Sequence, residues 1–187
     1  MTTETPPVTE SQDAVAAARA DRPLIKSLTS KAPPRAAWKA MIPATVCAVA
    51  ALLALVGLGA LMHQMLLVPP LAASAALIFG APALPLSQPR SVVGGQLLSA
   101  ATGFVVLAVA GSSTVAAAVA GGLALGVMMV ARTPHSPAAA TAVIVVLTEP
   151  AASAFLPLLA LAAVILVVVG MVAGLNKVTP SYPSYWW

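Results

Sequence analysis

Charge is what this chain has least of. Lys, Arg, Asp and Glu make up 7% of its 187 residues, against about a quarter in a soluble domain. Ten of the fourteen charged side chains precede Met41. Between Met41 and Asn176 only Arg90, Arg132 and Glu149 are charged. A soluble globule needs a wetted polar surface, and three charges in about 136 residues cannot supply one. An ordinary cytosolic domain is excluded. Acid is scarcer still: past the polar tail there is only Glu149, so paired-carboxylate catalysis has no second member and no enzyme is expected. The single cysteine, Cys47, forms no internal disulfide. It reads as a small packing residue inside an apolar run. No metal or cofactor set is visible. The formal charge of +4 is not gathered into a basic stripe interleaved with aromatics, so no nucleic-acid partner is expected.

What is present is apolar sequence, 60% of the chain. Residues 1–40 form a polar tail, expected to be mostly disordered with a short helix near Gln12 to Ala20. The tail's charge is too dilute for a strong lipid anchor. Residues 41–176 form the transmembrane domain, and 177–187 a short aromatic tail whose Tyr182, Tyr185, Trp186 and Trp187 suit a membrane interface. Six apolar segments occupy about 41–62, 66–84, 92–110, 114–131, 136–147 and 151–174. None alternates apolar and polar as a barrel strand does. The expected fold is therefore all-α: a polytopic transmembrane helical bundle with four long segments and two short, Pro-interrupted ones, the second and fifth. If all six cross, the tail, Arg90, Arg132 and Lys177 share one side, which the positive-inside rule makes cytoplasmic. Re-entrant second and fifth segments would put Arg90 and Arg132 outside.

Pro70-Leu71-Ala72-Ala73-Ser74-Ala75 aligns with Pro137-Ala138-Ala139-Ala140-Thr141-Ala142, and the same shift of 67 places Gly103 on Gly170. Ala-rich composition is the competing explanation of such a match. An internal repeat of three segments per half would be inverted, an architecture met in transporters. Small residues recur at helical spacing: Gly95, Ser99 and Gly103; Gly122 and Gly126; Gly170 and Gly174. These faces suit close helix packing within the chain, and they also allow a homo-oligomer.

Three stretches carry a resemblance. They are Phe79-Gly80-Ala81-Pro82, then Ser87-Gln88-Pro89-Arg90 with Val92-Val93-Gly94-Gly95, then His135-Ser136-Pro137-Ala138-Ala139-Ala140-Thr141-Ala142. In order and spacing they resemble the HPP family of small integral membrane proteins, named for a His-Pro-Pro motif. Here Ser136 replaces the middle proline, and Gln96 stands where a histidine often follows the double glycine. The resemblance covers about residues 41–174 and implies a membrane protein, usually described with four transmembrane helices. Some relatives are associated with nitrite transport, which makes nitrite the substrate the resemblance suggests.

The residues themselves point to an anion. Helix N-termini offer unpaired N–H groups and a positive dipole end, and both short segments open with proline. The candidate substrate-binding residues are Pro70, Ser74, Arg90, His135, Ser136, Pro137 and Thr141. The two helix starts are expected to face a shared polar cavity near Ser74 and Thr141. His135 can donate to an anion or carry a coupled proton. For Arg90, anion attraction and topology are equally good readings; for Arg132, topology is preferred. Glu149 and His63 fall in connections between segments. Two functions follow as expectations. One is a transporter or channel for a small inorganic anion, in the plasma (inner) membrane of a bacterium, N-terminus cytoplasmic. The other is a non-transporting membrane scaffold acting through the N-terminal tail.

Overall fold

The computed structural model describes residues 35–65 and 67–186. The expected tail structure before residue 35 lies outside the described residues. Among the described residues every regular element is helical. Six α-helices follow one another: α1 Trp38–Met62, α2 Pro69–Gly80, α3 Pro89–Ala110, α4 Thr114–Val130, α5 Ser136–Thr148 and α6 Ala152–Leu175, with a 3-10 turn at Pro85–Ser87.

Proline sets several of the boundaries. Val68 and Gln88 are extended, the conformation that a following proline favours. Pro69 and Pro89 then open α2 and α3 without wasting an N–H. α3 therefore starts three residues earlier than hydropathy suggests, and Arg90 lies in its first turn rather than in a loop. Ser113 caps α4, its hydroxyl oxygen accepting from the Ala116 N–H at 3.0 Å. Short connections make successive helices antiparallel. The starts of α1, α3 and α5 thus share one end with the finishes of α2, α4 and α6.

The division into long and short segments differs from expectation. α1, α3 and α6 are long and apolar enough to cross a membrane, whereas α2, α4 and α5 are shorter. α4 has 17 residues, about 26 Å of helix against a hydrocarbon core of about 30 Å. The fourth segment, expected among the long ones, ends one residue earlier than expected and groups with the shorter helices.

α3 is central, packing on α4, α5 and α6. α2 lies against α1, α5 and α6, and α1 also packs on α6. One core joins Leu55 of α1, Leu71 and Ile78 of α2 and Leu166 of α6. A second, built largely of alanine, joins Ala120, Ala124 and Met128 of α4 to Ala138 and Ala142 of α5. The outside is apolar: Leu61, Val109, Val115 and Val130 are all strongly exposed. Such a surface is solvated by lipid.

Two of the three small-residue faces are spent inside the chain. A Cβ on Gly103 would lie 2.9 Å from the Ala142 carbonyl oxygen, and one on Gly170 would lie 2.6 Å from Ile78 Cγ2. Gly122 and Gly126 face open space, so only that face is left for an oligomer. The aromatic tail is likewise not all interfacial. Tyr182 is buried against Gly170 and Gly174, while Tyr185 and Trp186 are exposed.

Gly103→Ala is expected to destabilise the protein by about 1–3 kcal/mol, because the backbone it meets cannot swing aside. Gly126→Ala is expected to be neutral or to stabilise by up to about 1 kcal/mol. Thermal unfolding of the two variants in one detergent checks the pair.

Candidate functional site

The two short helices meet. Ser74 in the middle of α2, Thr141 in α5, Gln96 in α3 and His135 at the start of α5 are all buried to 1% exposure or less. They form one hydrogen-bonded chain. The Thr141 hydroxyl donates to Gln96 Oε1 at 2.5 Å. The Gln96 amide donates to Ser74 Oγ at 3.1 Å. Ser74 Oγ lies 2.7 Å from His135 Nε2 and 2.9 Å from the Pro70 carbonyl oxygen. His135 Nδ1 lies 2.7 Å from the Leu86 carbonyl oxygen.

A carbonyl oxygen only accepts, so Nδ1 carries a proton. Nε2 can then exist in two forms. In the neutral ring it accepts from the Ser74 hydroxyl. In the imidazolium it donates to Ser74 Oγ, and the hydroxyl turns to the Pro70 carbonyl. The Gln96 amide can donate to Ser74 Oγ in both. One hydroxyl rotation thus accommodates a proton without orphaning any member. No carboxylate takes part: Glu149, the one acid among the described residues, is exposed at the far end of α5.

The local fold explains these positions. The turn at Ala131 and Arg132, where Arg132 takes a left-handed backbone, leads to His135 extended at the head of α5, where its side chain makes no capping bond and reaches Ser74 instead. A Cβ on Gly95 would lie 2.7 Å from His135 Cβ, so the glycine admits the histidine. Ser99 donates to the Ala138 carbonyl and ties α3 to α5. Ser87 donates to the carbonyls of Leu77 and Ala81, and Gln88 to those of Pro82 and Leu84. These bonds fold the connection that presents the Leu86 carbonyl.

Of the expected site residues, Ser74, Thr141 and His135 come together, with Pro70 supplying a carbonyl and Pro137 buried beside them. What they share is a closed cluster in which they satisfy one another, rather than the open polar cavity expected. Ser136 is exposed, unlike the cluster's members. Arg90 is elsewhere: it is half-buried, and its guanidinium donates to the Ala131 carbonyl at the end of α4, 2.9 Å away. Gln96, which joins the two helices, is absent from the sequence-derived set. Its signal was present, because an amide in the middle of an apolar helix must find a partner when lipid surrounds it.

The transmembrane region of the HPP family matches residues 33–183. The chain belongs to the HPP family. Two transmembrane proteins of Dictyostelium discoideum are similar to it. One is 36% identical over 125 residues, covering 62% of this chain and 44% of that protein. The other is 37% identical over 132 residues, covering 62% of this chain and 40% of that protein. The chain spans less than half the length of these relatives. No solved structure matches it. The HPP stretch His135-Ser136-Pro137 thus lies where the cluster's histidine enters and α5 begins.

Gln96→Leu is expected to cost about 1–3 kcal/mol by stranding Ser74 and Thr141. Thr141→Val should cost less in that background than alone, since its partner has already gone. A thermal-unfolding double-mutant cycle checks the coupling; additive effects would refute it.

Proposed function

We propose that this HPP protein is a transporter or channel for a small inorganic anion, with nitrite the substrate that the family resemblance suggests. The observation that carries the reading is the Ser74–Gln96–Thr141–His135 cluster at the meeting of two short, proline-started helices. Buried polar side chains in a membrane bundle are costly and mark ligand or ion paths. Short, interrupted helices in corresponding positions mark them too.

The packing supports an inverted repeat. Take α1, α2 and α3 as equivalent to α4, α5 and α6. The pair α1–α2 then corresponds to α4–α5, α1–α6 to α3–α4, and α2–α6 to α3–α5, and all of these pairs are packed together. α2–α5 and α3–α6 correspond to themselves and are packed as well. The correspondence reaches single contacts. Gly103 packs on Val145 and Gly170 on Ile78, and the 67-residue shift turns one contact into the other.

In this reading the anion passes beside the cluster, displacing hydrogen bonds that Ser74 and Thr141 otherwise make to protein. His135 donates from Nε2 or carries a proton with the anion. The domain sits in the plasma (inner) membrane of a bacterium, with its N-terminus cytoplasmic.

Proteoliposomes holding the purified protein are expected to take up nitrite faster than protein-free vesicles. His135→Ala should lower that flux by about tenfold, the equivalent of roughly 1.4 kcal/mol for a lost polar contact. His63→Ala, at an exposed connection, should leave it unchanged. Deleting residues 1–38 should also leave it unchanged. Absence of flux with nitrite, nitrate and formate alike would refute the reading.

A further inference from the structure

The two ends of the bundle differ in a way the repeat does not require. Where α3 begins and α4 ends, a cavity of about 540 Å³ is lined by Pro85, Arg90, Ser91, Met129, Arg132 and Tyr185, among others. At the opposite end lies a crevice of about 30 Å³ lined by Met65, Val68, Leu71, Phe155, Leu158 and Leu159. The 67-residue shift relates the two places: Arg132 corresponds to Met65 and Ser91 to Leu158. That end also holds a cavity of about 500 Å³ beside His63, Gln64 and Met65, yet its described lining carries no Lys or Arg, whereas the first cavity is lined by two guanidinium groups.

The cationic cavity is a built feature. Gln88 is fully buried, and its Oε1 accepts from the backbone N–H groups of Ser184 and Tyr185 at 2.9 and 3.4 Å. That contact holds Tyr185 on the cavity wall. Arg90 is steadied by its bond to the Ala131 carbonyl, at the negative end of the α4 dipole. Arg132 is exposed. Among the described residues that line the cavity none is a carboxylate, and Glu149 is about 20 Å away along α5. At roughly 30 Å³ per water, the volume has room for a hydrated oxoanion or for a phosphate group on a larger molecule.

We propose that this cavity is an anion-binding site, distinct from the buried cluster, in which Arg132 and Arg90 hold a ligand with several acceptor oxygens. The ligand is an inorganic oxoanion or the phosphate of an anionic lipid headgroup. Arginine suits either, since its planar fork matches such oxygens in pairs. As an entrance for transported anions the cavity rests on the transport reading above. As a binding site it stands without it.

The test uses the full chain in nanodiscs of phosphatidylcholine. Sulfate, phosphate and nitrite are titrated separately at constant ionic strength, and thermal unfolding is read. An oxoanion at ten times its Kd should raise Tm by about 3–5 °C. Arg132→Gln should abolish the rise, and Arg132→Lys should retain part of it. A second arm replaces the lipid with phosphatidylglycerol and adds no oxoanion. A rise there that depends on Arg132 assigns the site to lipid phosphate. No Arg132-dependent shift in either arm overturns the proposal. A protein that transports nitrite but shows no such shift refutes the cavity alone. One that shows the shift but no flux refutes transport alone.

Discussion

Inside a bilayer no water completes a hydrogen bond, and the interior of this protein is arranged around that constraint. A hydroxyl, an amide or an imidazole placed in the bundle must find its partners within the chain. Ser74, Gln96, Thr141 and His135 do so with one another and with two backbone carbonyls. Those bonds fix how α2, α3 and α5 meet. They also fix the connection between α2 and α3, because His135 needs the Leu86 carbonyl and Ser87 and Gln88 fold the backbone that supplies it.

Small residues make this closeness attainable. In lipid the hydrophobic effect does not drive helices together, so contact depends on shape and on polar pairing. Gly95 and Gly103 let α3 approach α5 along one seam, and Ser99 adds a bond to the Ala138 carbonyl on it. Gly170 and Gly174 do the same for α6 against α2 and the C-terminal segment. In the repeat proposed above the two seams correspond, yet their chemistry differs. Under the 67-residue shift Gln96 corresponds to Ala163, Ser99 to Leu166 and His135 to Val68. The polar groups thus gather on the α3–α5 seam, and the α6–α2 seam is apolar. That imbalance places the buried polar groups on the side of the bundle that α3 and α5 share.

A chain of this kind can combine rigidity with a single mobile element. The helices are locked by glycine seams and buried bonds, while the Ser74 hydroxyl has two partners to choose between. Its rotation is the smallest motion by which the interior can register a proton on His135.

The scarcity of charge, read from the sequence alone, determined that lipid is the solvent, that the fold is helical and that six apolar segments exist. It also singled out Ser74, Thr141 and His135, since hydroxyls and a histidine beside proline-started helices stand out against an apolar background. Local chemistry placed the starts of α2 and α5 for the same reason. Other features were not legible. Hydropathy does not see that Pro89 opens α3, so Arg90 passed for a loop residue. It also carries α4 one residue beyond Val130, which put a 17-residue helix among the long ones. Only the tertiary structure decided that Gln96 bridges the two short helices, that the polar groups close on one another, and that Ser136 and Arg90 stand apart from them. Hydrogen bonds between residues 22 to 61 positions apart depend on how helices pack. That packing is set by the fit of facing surfaces, which no single segment carries.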